Sequence, residues 1–119
     1  LQIGENFNGT EAMATALLLG ACDYAMPDVA RIGGVTGWLR GAALAAARGV
    51  PLSTHLYPEI SATLLTASPT AHWLEYVDWA DAFLAHPLRL IDGKVMPSAG
   101  PGAGLDWDEG KIARLLLDC

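Results

Sequence analysis

Four ionisable residues lie at similar intervals along this sequence, each at the end of a short apolar segment. They are Glu5, Asp28, His55 and Glu75, and the intervals between them are 23, 27 and 20 residues. Histidine is the usual general base near neutral pH, and a carboxylate that hydrogen-bonds one ring nitrogen fixes the tautomer and raises its basicity. Asp28 precedes His55 by one interval and is the candidate for that carboxylate. The pattern predicts proton transfer by His55.

The two glutamates predict a different chemistry. A carboxyl group that burial keeps protonated can donate a hydrogen bond to a developing oxyanion, and we assign this role to Glu75. Glu5 offers a hard oxygen ligand suited to Mg²⁺, although one carboxylate is a poor magnesium site and further ligands must come from elsewhere. Simpler interpretations stay open for single residues: Asp28 as a helix N-cap, Glu5 as a solvated loop residue and His55 as a structural histidine.

Short apolar segments and amphipathic segments alternate along the chain. Hydrophobic periodicity predicts strands and helices, with Gly49 and Pro58 marking a helix end and a helix start. The predicted strands are 1–5, 22–28, 50–55 and 71–77, and the predicted helices are 10–21, 33–49 and 58–68. We expect Thr10 to be the N-cap of the first helix. From residue 78 onward the sequence predicts a hairpin, a Gly/Pro loop and a last helix over 108–117.

The order of these elements predicts the fold class. Strands and helices that alternate with short connections are typical of a parallel α/β sheet built from right-handed βαβ units. The intervals between the four polar residues match one βα unit of a (β/α)₈ (TIM) barrel, which needs about 200 residues or more. The chain therefore predicts four βα units, a half-barrel, followed by an irregular C-terminal segment. The four strand ends would face one cavity, because ligands of parallel α/β folds bind at the carboxyl ends of strands.

Composition limits the class of partner. The chain has 119 residues and a net charge of −6, and its only lysines are Lys94 and Lys111. Nucleic acid binding needs clustered basic residues, so we expect no nucleic acid partner. Two cysteines, Cys22 and Cys119, indicate a reducing, cytoplasmic protein. We expect no membrane partner, because the sequence has no run of 18 apolar residues and no signal peptide.

Several other features have plainer interpretations. The "RIGGVTG" segment resembles a phosphate cradle only weakly, because it lacks a GxGxxG pattern and a basic side chain. We expect a tight strand-to-helix loop there. We expect His72 to be structural and His86 to be exposed. All four tryptophans are predicted to be core or packing residues: Trp38, Trp73, Trp79 and Trp107.

Longer stretches of the chain carry a family resemblance. The segments "GEN", "AMPDVARIGGVTGWLRGAALA", "GVPLSTHLYPEISATLL" and "PTAHWLEYVD" resemble the C-terminal half of the barrel domain in the mandelate racemase subgroup of the enolase superfamily. The resemblance runs from residue 1 to about residue 110. It implies that Mg²⁺, held by three acidic residues, chelates a substrate carboxylate while a base removes the adjacent proton to give an enediolate.

Residue by residue, the resemblance implies four roles. Glu5 matches the third metal ligand, and His55 matches the general acid/base. Asp28 matches the dyad partner of that base, and Glu75 matches the acid that hydrogen-bonds the substrate carboxylate. Residues 1–96 would form the C-terminal half of a TIM-barrel catalytic domain. Residues 97–119 would form the tail that returns to the capping domain.

The chain also departs from the family pattern. The family's first two metal ligands and its Lys-x-Lys base lie on earlier strands that are absent here, and neither Lys94 nor Lys111 follows a predicted strand end. We expect a fragment of a racemase acting on a 2-hydroxy acid. The alternatives are an acid-sugar dehydratase of the same superfamily and a non-catalytic half-barrel scaffold. We expect the isolated chain to be inactive, and to form a homo-oligomer or pair with the missing half-barrel.

Overall fold

A computed structural model describes residues 1–116, so Cys119 and the end of the helix predicted over 108–117 lie outside the described residues. The helices are α1 (Gly9–Leu18), α2 (Gly34–Arg48), α3 (Pro58–Thr66) and α4 (Glu109–Ala113). The strands are β1 (Gln2–Ile3), β2 (Tyr24–Ala25), β3 (Leu90–Ile91) and β4 (Lys94–Val95). Within these residues no helix has the length and apolar character needed to cross a membrane.

The first four predicted strands lie side by side in the predicted order. β1 pairs in parallel with β2, and single parallel bridges then join Ala25 to Leu52 and Leu52 to Ala71. The regular strands are shorter than predicted, and the third and fourth segments are held by isolated bridges. Pro27 and Pro51 contribute to this, because proline has no N–H to donate to a strand ladder.

The secondary structure does not confirm four complete βα units. Helices follow the first three segments, as α1, α2 and α3, but the part of the chain between residue 72 and β3 contains only turns and a bridge. The hairpin predicted beyond residue 78 is present as β3–β4. Its turn is made by Asp92 and Gly93, both at positive φ, which matches a tight hairpin.

Sequence signals at the helix ends are correct for α2 and α3. Gly49 adopts the left-handed conformation at the end of α2, and Pro58 opens α3. The N-cap position of α1 is Asn8, two residues before the predicted Thr10. The glycines of the "RIGGVTG" segment form a tight loop, in which the Gly34 N–H donates to the Val29 carbonyl at 2.8 Å.

The core lies between the parallel segments and helices α1 to α3. Met13, Trp38 and Leu52 are fully buried in it, and the Trp38 indole N–H donates to Ser68 Oγ at 3.0 Å. The other three tryptophans are exposed, so their assignment to the core was wrong. The Cα radius of gyration is 15.6 Å, whereas a compact domain of this length has about 13.5 Å. Large apolar side chains are thus left on the surface of an open structure.

Gly37 packs its backbone against the loop that precedes α2. A Cβ atom added there would lie 2.0 Å from the Ile32 carbonyl oxygen, which belongs to the backbone and cannot move aside cheaply. We expect Gly37→Ala to lower the free energy of unfolding by about 3 kcal/mol, as in severe overpacking. Urea unfolding followed by circular dichroism measures this. Gly110→Ala, at an exposed helical site, is the matched control and should change stability by less than about 1 kcal/mol. Equal effects of the two substitutions would contradict the packing argument.

Candidate active site

Three of the four predicted site residues lie along one edge of the parallel segments. Asp28 and His55 are partners in a parallel bridge, so they occupy matching positions on neighbouring segments. His55 and Glu75 then meet through their side chains, with Nδ1 of His55 3.0 Å from Oε2 of Glu75. The register predicted from the sequence intervals therefore brings His55 next to the Glu75 carboxylate and places Asp28 at the matching position of the neighbouring segment.

The imidazole of His55 is mostly enclosed, with 20% of its side-chain surface exposed. Its Nδ1 atom is buried and, despite its closeness to Glu75, has no aligned hydrogen-bond partner among residues 1–116. Buried polar atoms are nearly always hydrogen-bonded, so an unpaired one marks a functional candidate.

Glu75 is held at its carboxylate by a backbone N–H and at its own backbone by a side-chain hydroxyl. The Leu56 N–H donates to Oε2 at 2.7 Å, and the Glu75 N–H donates to Thr54 Oγ1 at 2.9 Å. Its side chain is 37% exposed, so residues 1–116 do not enclose this group, and its role as a hydrogen-bond donor to the substrate stays a prediction. Burial would need atoms on the open side of the carboxylate, where the described residues supply none.

Asp28 is buried and serves a turn. Its Oδ1 accepts hydrogen bonds from the Ala30 N–H at 2.7 Å and the Arg31 N–H at 3.1 Å, which is an Asx-type turn. It is not a helix N-cap, because the N-cap position of α2 is Gly33. In the described part of the chain no hydrogen bond joins this carboxylate to the His55 ring. The backbone donors compete for the same oxygen, and Glu75 is the carboxylate closer to Nδ1. The dyad role of Asp28 stays a prediction.

Two strained residues separate His55 from α3. Leu56 has φ 55° and Tyr57 has φ 46°, the left-handed conformation that side chains disfavour. Such residues cost about 1–3 kcal/mol each and occur mainly at functional sites. The sequence analysis missed this turn because neither glycine nor asparagine occupies it. The one signal was Pro58, which disfavours a right-handed helical conformation at the residue before it.

Glu5 lies on the turn after β1 and is exposed to solvent. Its Oε1 accepts a hydrogen bond from the neighbouring Asn6 side chain at 3.3 Å, and it lines a cavity of about 400 Å³ beside Phe7 and Met26. Gly4 permits this turn, because its φ is 140° and a Cβ there would lie 2.9 Å from the Met26 nitrogen.

The donor set of this chain does not by itself fit a magnesium ion. Mg²⁺ requires near-octahedral oxygen coordination. Residues 1–116 contain no group of three His, Cys, Asp or Glu residues arranged to hold a metal. Glu5 is a single carboxylate, so a complete site would need ligands from outside these residues.

The hydroxyl of Tyr76, the residue after Glu75, is hydrogen-bonded. Burial raises the pKa of the Tyr76 hydroxyl, and the negative charge of Asp81, which accepts its hydrogen bond at 3.2 Å, raises it further. This hydroxyl therefore stays protonated through neutral pH.

The other two histidines are not part of the site. The His72 Nδ1 atom lies 3.2 Å from Ser53 Oγ, and its ring is stacked on Tyr24. His86 is exposed, as predicted.

Comparison with known proteins places these features in a family. Residues 1–111 match the family described as Enolase C-terminal domain-like. An enolase from the alpha proteobacterium BAL199, solved with bound Mg²⁺, is 54% identical with a TM-score of 0.91, over 96% of this chain and 31% of that one. An enolase from Bradyrhizobium, complexed with magnesium and mandelic acid, is 49% identical with a TM-score of 0.90, over 95% of this chain and 31% of that one.

A curated relative has a named activity. The L-talarate/galactarate dehydratase of Salmonella typhimurium is 35% identical over 104 residues, which cover 87% of this chain and 26% of that protein. The chain thus spans about a quarter to a third of the length of these relatives. The similarity covers the segments that carry Asp28, His55 and Glu75.

Proposed function

The chain belongs to the Enolase C-terminal domain-like family, and on that premise we propose that it supplies the proton-transfer side of a Mg²⁺-dependent active site. We call the longer protein that would contain this site the parent enzyme. The proposed reaction is removal and return of the proton next to a substrate carboxylate. One observation carries the proposal: His55 Nδ1 lies 3.0 Å from the Glu75 carboxylate at the ends of neighbouring parallel segments.

We assign the acid/base step to His55. Its Nδ1 is buried beside Glu75, which leaves Nε2 as the nitrogen to meet the substrate. The proton next to a carboxylate is very weakly acidic, so the enediolate that forms needs strong electrostatic stabilisation. Glu75 would contribute a hydrogen bond to the substrate carboxylate, and Asp28 would support the histidine in the closed site. Magnesium supplies positive charge when bound, and Glu5 is the one ligand that we assign to this chain.

The proposed architecture extends beyond the described residues. Residues 1–96 would form part of a TIM barrel whose other strands, opposing base and remaining metal ligands come from the rest of the parent enzyme. Residues 97–119 would form the tail that returns toward a capping domain. We propose a cytoplasmic setting from the low cysteine content, and closure of the barrel or self-association to cover the exposed apolar side chains.

Two reactions compete within this proposal. Racemisation of a 2-hydroxy acid is the first, supported by the 49% identical relative that is solved with mandelic acid. Dehydration of an acid sugar is the second, supported by the 35% identical talarate/galactarate dehydratase. Both begin with the same proton removal and differ in the fate of the enediolate. A non-catalytic scaffold is the remaining alternative.

Proton exchange in D₂O tests the proposed function. The parent enzyme with Mg²⁺ is incubated with each enantiomer of mandelate and separately with galactarate, and NMR follows deuterium at the carbon next to the carboxylate. We expect exchange with at least one substrate, because proton removal precedes both outcomes. Racemised mandelate would identify a racemase, and a keto acid formed from galactarate would identify a dehydratase. Absence of exchange from both substrates, in a folded enzyme that binds magnesium, would contradict the proposal and favour the scaffold.

A further inference from the structure

We propose that Ser61 and Thr54 are positioning residues, whose buried hydroxyl groups hold Glu75 beside His55. The inference rests on the proposed function, because it takes the His55–Glu75 pair as part of the reacting site. Neither hydroxyl has a hydrogen bond to the imidazole among the described residues; their partners are the Leu56 carbonyl and the Glu75 N–H. Each acts on Glu75, one through the strained turn that follows His55 and the other through the Glu75 backbone.

Ser61 ties helix α3 to the strained turn. It is fully buried, and its Oγ–H donates to the Leu56 carbonyl at 3.0 Å. A serine inside a helix usually returns its hydroxyl to the carbonyl four residues earlier. That carbonyl belongs to Tyr57 and already accepts the Ser61 N–H at 2.9 Å. The hydroxyl reaches one residue further, outside the helix, so it fastens the turn rather than the helix.

The turn passes this restraint on to Glu75. Leu56 sits at φ 55°, and its two backbone groups have different partners: the carbonyl accepts from Ser61, and the N–H donates to Glu75 Oε2 at 2.7 Å. The same oxygen lies 3.0 Å from His55 Nδ1. Without the Ser61 hydroxyl, Leu56 can relax toward an ordinary conformation, and its N–H then turns away from the carboxylate.

Thr54 fixes the other end of the same residue. It is 1% exposed, its N–H donates to the Trp73 carbonyl at 3.0 Å, and its Oγ1 accepts from the Glu75 N–H at 2.9 Å. A side-chain hydroxyl thus takes the place that a carbonyl would occupy in a regular ladder. Glu75 is held at its backbone by Thr54 and at its carboxylate by the turn that Ser61 restrains.

Steady-state kinetics of the parent enzyme test the proposal. Removal of either hydroxyl should misplace a group that stabilises the transition state, so we expect Ser61→Ala and Thr54→Val each to lower kcat about tenfold while KM stays within about twofold. Thr54→Ser keeps the acceptor and should restore kcat. In a Glu75→Gln background, Ser61→Ala should lower kcat by less than about twofold further, because the two changes share one path.

Ser68→Ala is the matched control. Ser68 is also buried and lies just past the end of α3, but it accepts from the Trp38 indole and donates to the Leu64 carbonyl, away from the site. Its loss should lower the melting temperature and leave kcat unchanged. The Thr54 pair of variants decides the question if Ser61→Ala fails to fold.

These experiments test the positioning roles of Ser61 and Thr54 separately from the proposed function of His55. If kcat is unchanged in both Ser61→Ala and Thr54→Val, or falls only as much as in Ser68→Ala, the positioning roles are wrong. The proposed function is tested separately, and loss of exchange in His55→Asn supports it. Retained exchange in His55→Asn on both faces of the substrate overturns the proposed function itself. Failure of Thr54→Ser to restore kcat also contradicts the positioning role, since that variant keeps the hydroxyl.

Discussion

Deuterium exchange at one face of the substrate should fall by about a thousandfold when His55 is replaced by asparagine in the parent enzyme. Asparagine is uncharged and polar, so it fits beside Glu75, but it cannot take up a proton near neutral pH. The enzyme would keep Glu75 and its metal site. Exchange at the opposite face should persist, because we assign that step to a base outside this chain.

Stereochemically resolved exchange measures this effect. Each mandelate enantiomer is incubated in D₂O with Mg²⁺, and deuterium at the α-carbon is followed separately for the two. His86→Asn is the matched control, since that histidine is exposed and its nearest carboxylate is Asp106 at 3.9 Å. The His86→Asn enzyme should exchange both enantiomers at the wild-type rate. Exchange of both enantiomers at the wild-type rate by His55→Asn would show that another residue is the base.

The order of the elements could be predicted from the sequence, but their lengths could not. Hydrophobic periodicity and the short connections placed four parallel segments next to one another, and Gly49 and Pro58 marked helix ends correctly. The observed strands are only two residues long or single bridges, shorter than predicted, because a strand ladder needs backbone donors in register on both partners. Pro27 and Pro51 remove donors from two of those segments.

The site was predictable to the level of strand ends and no further. Similar intervals put Asp28 and His55 at matching strand ends, and that prediction agrees with their bridge. Backbone N–H groups determine which of the two carboxylates, Asp28 or Glu75, lies beside the His55 ring. The Ala30 and Arg31 N–H groups occupy Asp28, whereas the left-handed Leu56 directs its N–H to Glu75 and holds that carboxylate near the ring. Leucine rarely adopts the left-handed conformation, and hydrophobic periodicity carries no information about backbone φ, so the sequence could not predict this turn.

The exposed apolar surface leads to the second large effect. Trp73, Trp79 and Met96 have 66%, 68% and 78% of their surface exposed, and large exposed apolar side chains favour association where they form a patch. Within the described residues β1 has a strand partner on one side only, and unpaired strand edges favour association. We therefore expect the isolated 119-residue chain to self-associate, with a mass above its monomeric 12.5 kDa in light scattering.

Turnover by the isolated chain should be undetectable under conditions in which the parent enzyme exchanges its substrate completely. Proton removal next to a carboxylate needs concentrated positive charge, and a lone Glu5 carboxylate cannot hold magnesium in the required geometry. Exchange of mandelate and galactarate in D₂O with Mg²⁺ measures this, and the parent enzyme at the same molar concentration is the control. Adding the remainder of the parent enzyme, produced as a separate chain, should restore exchange by completing the metal site. A monomeric, cooperatively unfolding and active isolated chain would contradict both expectations, since it would mean that residues 1–119 close their own site.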